Sequence, residues 1–435
     1  PMTSLLVRGK VHTFDKNRSV ATNLLVRDGT VCEIESSVDE VDEIIELGSD
    51  EILQPGWRDD HLHLLSPLAS HCSIDLSNAT SIDELLQFLE PRSAGNNGWM
   101  RGWGYEPTFL KEKRHPTRSE LDQVTLGTPA VIHDRSGHVA VVNSAAAELL
   151  KIKGSPDGIL VERQDALSRV PRLEIAELKG IAIKVFAEWR GMGVVAVTDA
   201  THTNDQGSLD VLADISKECG GPHITAMIGA DRLGDLRFGE TYKGIEIGHA
   251  KVMPDVGLQE DLTKMVAAAH RAGFPVAVHV MDIDMLDETL LALETSPPPP
   301  STTDRLEHCS LAMPEQLDRV AQLGASVCTQ PSFLTRRLDK YLEDVSPTEQ
   351  AWLWPLSSLV ERDISVTLSS DSPVVPVDPD EWIHVASTRP LQNQEAISEI
   401  DARAMTVVSP IVPGLPTDLL VRVTPSGYES LDGLN

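Results

Sequence analysis

At 435 residues, with 41% apolar side chains, the chain is long enough for one extensive core and something smaller beside it. Its 37 basic residues against 66 acidic ones leave a net charge of −29. Such a surface repels phosphate backbones and anionic lipid, so nucleic-acid and membrane-surface roles are disfavoured. No apolar run reaches the ~18 residues of a membrane helix, the N-terminus lacks a signal-peptide pattern, and the five cysteines are scattered, with no C-x-x-C pair. A cytoplasmic protein with reduced thiols is the expectation.

In chain order, residues 4–7, 23–26, 31–36 and 43–47 read as short strands separated by turn signals at Arg8-Gly9-Lys10 and Arg27-Asp28-Gly29. One further apolar strand, 418–423, follows a Pro-rich segment near the other end. Residues 1–54 plus 412–435 are therefore predicted to join in one small β domain, of the sandwich type. From residue 55 onward, strand-like runs alternate with helical patterns, which argues for a parallel sheet with crossover helices. The runs are 58–63, 194–199, 223–229, 246–253, 276–280, 305–309, 325–330 and 365–371. Eight is the number that a closed (β/α)8 barrel of the TIM type requires. Between them, 261–272 places Leu262, Met265, Val266 and Ala269 on one helical face, and 314–323 is a second such helix. The barrel is predicted over 55–411. Residues 64–193 are too many for one crossover and carry strands of their own at 99–104 and 129–133, so they are predicted to form an inserted subdomain over the barrel mouth that builds the substrate pocket.

The ends of the barrel runs carry the chemistry. His61 and His63 lie two apart, on one face of the first strand. The fourth run contains Lys251, the fifth ends near His279, the sixth near His308 and the eighth at Asp371. Chance placement of 14 histidines does not favour five of eight runs delivering such groups to one end. Four imidazoles and a carboxylate suit one or two divalent metals, with zinc, manganese, cobalt and iron all compatible. An ion held there would bring the pKa of a water to roughly 7, and Asp371 could accept that water's proton and pass it to a leaving amine. Lys251 has two readings: a lysine salt-bridged at a strand end, or a desolvated amine that takes up carbon dioxide as a carbamate and bridges two metals. His249, two residues earlier, is a rival ligand. His138, in Ser136-Gly-His138, is a candidate substrate contact, and Trp103 and Tyr105 are candidates for the pocket wall or for core packing. Asp199 could orient a ligand histidine or cap a loop. His115, His133 and His202 carry no assignment.

The segments Pro55-Gly-Trp-Arg-Asp-Asp-His-Leu-His63, Lys251-Val-Met-Pro-Asp255, Val278-His279, Arg305-Leu-Glu-His308 and Ser369-Ser-Asp-Ser-Pro373, with Gly102-Trp-Gly-Tyr-Glu106 and Ser136-Gly-His138 among others, fall in order along the chain. Together they resemble the amidohydrolase superfamily, and more narrowly its YtcJ-like branch, amidohydrolase family 3. The resemblance implies that His61, His63 and Asp371 hold the more buried metal and that His279 and His308 hold the second. It also implies that Lys251 bridges them as a carbamate formed with carbon dioxide, and that Asp371 acts as proton shuttle. Two zinc ions are the expected cofactor. The expected reaction is hydrolysis of a non-peptide carbon–nitrogen bond in a small molecule, such as an N-acyl or N-formyl amine, a carbamate or a cyclic amide. An ester or lactone hydrolase, or an isomerase, on the same metal site is the alternative. A homodimer is the default assembly for a soluble enzyme. The chain departs from the family pattern after Lys251, where Met253-Pro-Asp-Val256 replaces an Ala-Asp-Gly segment, and after His279, where Val280-Met-Asp-Ile-Asp284 stands.

Overall fold

The computed structural model describes residues 4–38, 40–89, 98–135, 137, 139–161, 163–167, 169–171, 173–254 and 259–431. The chain divides into two compact units, Pro1–His63 with Phe186–Asn435, and Leu64–Val185.

The first unit holds two sheets. The barrel strands are Trp57–Leu62, Val194–Asp199, His223–Gly229, Ile245–Val252, Val276–Val280, Arg305–His308, Ser326–Thr329 and Val366–Leu368, all paired in parallel and in sequence order. A bridge between Leu62 and Ser372 brings the first strand back to the eighth, so the sheet is nearly closed. Every expected run is present, within a few residues at its ends. These strands read as continuous apolar stretches because helices cover their outer face; Val194–Asp199, for example, is buried at all six positions. The helices begin and end on conventional signals. Asp205 accepts from Ser208 N ahead of Gln206–Cys219, and Gly220 ends that helix at φ 62°. Pro314 opens Pro314–Leu323 and Gly324 closes it at φ 66°.

The second sheet of this unit draws on both ends of the chain. Seven strands form one hydrogen-bonded ladder, in which Leu420–Thr424 pairs antiparallel with Ile52–Pro55. Val7, Leu24, Val26, Leu53, Leu415 and Leu420 lie in its apolar core. Ile52–Pro55 passes into the first barrel strand through Gly56 alone. Gly56 N donates to Leu419 O at 2.8 Å, and its own carbonyl accepts from Val408 N at 2.9 Å. A Cβ at Gly56 would lie 2.5 Å from Val195 Cγ2, so the junction admits no side chain.

The second unit, by itself, contains a five-stranded sheet in which Met100–Tyr105 and Ala130–Asp134 are parallel neighbours. Helices Ile82–Leu89 and Arg118–Thr125 pack apolar residues onto it, with Leu85, Leu89, Leu121, Tyr105 and Ile132 in one core. These are the two strands that the length of the insertion required.

Candidate metal centre

His61 lies in the first barrel strand and His63 just beyond its end. Their rings meet edge to face, with centroids 5.5 Å apart. Asp371 follows the eighth strand, and two backbone bonds tie it to the first: Asp371 N donates to His61 O at 2.8 Å, and His63 N donates to Ser372 O at 2.9 Å. Asp59 adds a side-chain staple, accepting from Ser370 Oγ at 2.5 Å and Ser370 N at 3.1 Å. Ends of strands that are remote in sequence are thus locked in register. Asp371 and His308 both sit at positive φ, 61° and 68°. Non-glycine residues there are strained, and strain of this kind clusters at functional sites.

The side chains converge. The His308 ring lies 4.8 Å from that of His61 and 4.6 Å from that of His279, centroid to centroid. His61, His308 and Asp371 each present one ligand atom, all within 4.8 Å of one another, and all three residues are buried. Asp371 Oδ1 lies 3.2 Å from His63 Nε2 and 3.4 Å from His61 Nε2, yet this buried oxygen takes part in no hydrogen bond. His63 Nδ1 is 3.2 Å from Thr201 Oγ1. His308 Nδ1 bonds to Gln330 Oε1 at 2.7 Å, and Gln330 Nε2 donates to Ser369 Oγ at 2.9 Å. Each of these rings therefore has Nδ1 occupied and Nε2 left over, as metal-ligating histidines do.

Lys251, in the fourth strand, is 3% exposed, and its Nζ has no hydrogen-bond partner. No ion pair of Lys251 exists among the described residues, so the salt-bridged reading is not what the structure shows. Burial, helped by Arg305 and opposed by Glu307 and Asp371, pushes this amine below the usual lysine range. Burial likewise drives His308 down to about 4, and drives His279 well below its ordinary value with His308 adding to the effect. Burial also works against the charged form of Asp371, but His61 and His63 hold the carboxyl well below the usual range. His279 and His308 are thus neutral and Asp371 is ionised, protonation states in which such groups bind metals, whereas at His61 burial and Lys251 are outweighed by Glu307 and Asp371, which raise it. A buried carboxylate oxygen and a buried amine, neither in a hydrogen bond, with imidazole nitrogens beside the oxygen, are a donor set that fits a cation at this point.

His249 does not join the cluster. Its Nε2 bonds to Thr303 O at 3.0 Å, its ring packs on Phe238, and with Asp60 and Arg305 it lines a separate cavity of about 470 Å³. Asp199 accepts from Thr201 N at 3.0 Å and Asn204 Nδ2 at 2.7 Å, which caps the loop that carries Thr201. His202 is exposed. In the second unit, Tyr105 is buried, its hydroxyl 2.9 Å from His115 Nδ1, and Trp103 packs on His133. His138, Asp255 and Val256 lie outside the described residues, and so does half of the departure from the family pattern after Lys251.

Sequence reasoning gave no role to Glu307, Arg305 or Asp60, although all three stand inside the quoted segments. Glu307 is fully buried and bonds to His61 Nδ1. Arg305 grips the same carboxylate through Nε at 2.5 Å and Nη2 at 3.1 Å, and reaches Asp60 Oδ2 at 2.8 Å. The signal that could have found them is the alternation Arg305, Glu307 ahead of His308, which puts two opposite charges on one strand face. His61, Glu307 and Cys328 also bring ligand atoms within 4.8 Å. Glu307 is already held by Arg305, and burial pushes the Cys328 thiol strongly up, so this second group belongs to the wall of the barrel.

A nearly closed parallel (β/α)8 barrel with buried ligand-type residues at its strand ends defines a metal-dependent enzyme class. The model of the Amidohydrolase family matches residues 49–404. The chain belongs to the amidohydrolase family and is an amidohydrolase enzyme, as its motifs suggested. It is 24% identical to an N-substituted formamide deformylase of Arthrobacter pascens, over 93% of this chain and 88% of that protein. It is 26% identical to the putative amidohydrolase YtcJ of Bacillus subtilis (strain 168), over 75% of this chain and 72% of that protein. An uncharacterized metal-dependent hydrolase from Pyrococcus horikoshii OT3 has the same fold, with a TM-score of 0.79 at 23% identity over 97% of both chains.

Proposed function

We propose that this amidohydrolase cleaves a non-peptide carbon–nitrogen bond in a small molecule, with an N-formyl or N-acyl amine as the first substrate class to try and carbamates or cyclic amides next. The observation that carries this reading is the buried convergence of His61, His308 and Asp371, with Asp371 Oδ1 free of hydrogen bonds. The formamide-cleaving activity named for the Arthrobacter relative supports the choice of substrate. His61, His63 and Asp371 would hold one divalent ion, zinc in the first instance, and His279 and His308 a second. Lys251 would lie between them as the carbamate that its neutral amine forms with carbon dioxide, releasing one proton. The ions would make a water nucleophilic at neutral pH and polarise the scissile carbonyl.

The chain's own residues do the rest. Asp371 accepts the proton of the attacking water and returns it to the departing amine, so that an amide and water yield a carboxylic acid and an amine. The strained, doubly stapled backbone at Asp371 keeps that carboxylate from swinging away. Thr201 and Gln330 hold the rings of His63 and His308 against rotation.

The test is a panel of matched formamides, acetamides, carbamates and esters, run on zinc-loaded protein. Turnover of the amides, falling by on the order of 10²–10⁴-fold in Asp371→Asn, is expected. A preference for esters over every matched amide, or full activity in His61→Ala, would overturn the reading.

A further inference from the structure

Two of the candidate ligand histidines are backed by very different partners. His308 leans on Gln330, a neutral amide that ends on the Ser369 hydroxyl. His61 leans on Glu307, a carboxylate clamped by Arg305, which is clamped in turn by Asp60. The Arg305 Nη2 group also donates to the Asp60 carbonyl, inside the strand that carries His61. Thr198 Oγ1 donates to Asp60 Oδ1 at 2.7 Å, and Thr367 Oγ1 to Asp60 Oδ2 at 2.8 Å, so the second and eighth strands hold the far end. Side chains of Asp60, Arg305, Glu307 and His61 are no more than 10% exposed.

This chain has a direction. Asp60 takes three side-chain donors and cannot turn. The planar guanidinium spans two carboxylates, meeting both oxygens of Glu307, whose plane it fixes, and one oxygen of Asp60. Glu307 is an acceptor only, so the His61 nitrogen that faces it must carry a proton. The other nitrogen, Nε2, then offers its lone pair toward Asp371 Oδ1, 3.4 Å away. A carboxylate behind an imidazole also raises its basicity as a ligand, whereas a neutral amide does so less.

We propose that the buried Asp60–Arg305–Glu307 triad is a positioning device for His61. It locks the ring as the Nδ1–H tautomer and makes the metal position that His61 serves the tighter one in this centre. Glu307, Arg305 and Asp60 are positioning residues that act through His61. The inference rests on the reading of His61 as a ligand and adds what sets that ligand's strength.

The test uses the full-length chain, stripped of metal and titrated with cobalt(II) under visible absorption. Glu307→Gln keeps the shape and an acceptor but removes the charge. The expected result is a folded protein whose strongest cobalt step is weakened roughly 10–100-fold with an altered absorption band. The control Gln330→Ala, which removes the neutral partner of His308, leaves that strongest step in place. A folded Glu307→Gln variant that binds cobalt as tightly as wild type would overturn the proposal. A wild-type protein that binds no cobalt at all would instead overturn the metal reading beneath it. Where Glu307→Gln does not fold, the nitrogen shifts of histidine-labelled, zinc-loaded wild type decide the matter: a proton on Nδ1 of His61 and metal on Nε2 support the triad's role, and the reverse assignment defeats it.

Discussion

Two polar clusters inside the barrel, built from the same strands, have opposite character. Around Asp60 and Arg305 the side chains interlock: Asp60 accepts from Thr198, Thr367 and Arg305, and Arg305 also donates to both oxygens of Glu307. Around His61, His308 and Asp371 the balance fails, since Lys251 Nζ and Asp371 Oδ1 are buried without a hydrogen bond and two backbone positions are strained. An unpaired polar group in a dry interior costs stability. The first cluster therefore ties strands together, and the second carries a cost that a bound cation would relieve. In this pair of clusters the ionic network around Asp60 and Arg305 closes on itself, and the one at the strand ends does not.

The sharpest way to break that contrast is to remove one member of the saturated cluster. Arg305→Met leaves Asp60 and Glu307 as buried charges without their cation, and should lower unfolding stability by about 3–5 kcal/mol. Denaturant titration reads this, and a loss under 1 kcal/mol would mean that the triad is not the tie described. The opposite sign is expected in the unsaturated cluster. Lys251→Met removes a buried amine with no partner, so the metal-free protein should gain about 1–3 kcal/mol while metal retention falls. A metal-free variant less stable than metal-free wild type would show that Lys251 has a structural partner after all.

A smaller effect is expected outside both clusters. In the second unit, Glu120 closes the capping box of Arg118–Thr125, and the Arg114 guanidinium beside it holds its carboxyl down to about 2. Because the folded value lies below the unfolded one, this group's contribution is fully present above about pH 4.5 and is lost as pH falls toward 2. With Arg114 half-exposed, screening keeps the contribution at or below about 1 kcal/mol. Glu120→Gln should remove it at pH 7 and leave stability near pH 2 unchanged, as acid titrations of both proteins would show.

Much of this was legible in the sequence. The eight barrel runs stood out because strands covered on both faces are continuously apolar, and the candidate ligand histidines because they end those runs. What could not be read was depth. A period of two places His249 and Lys251 on one face, but it does not tell that His249 stops at Thr303 while the Lys251 amine is buried without a hydrogen bond. Nor does it tell which of the acids in Arg58-Asp-Asp-His61 staples the eighth strand and which meets an arginine 245 residues away. Those assignments depend on contacts between strands remote in sequence, and no local pattern encodes them.

The most direct test of the metal-centre account is the metal content of folded wild type and Lys251→Met, measured by elemental analysis after dialysis against zinc and bicarbonate. The account predicts about two equivalents per wild-type chain, as in two-metal hydrolytic sites, and a clear fall in the variant. A wild-type chain with no zinc, or with one equivalent that the substitution leaves untouched, would contradict it.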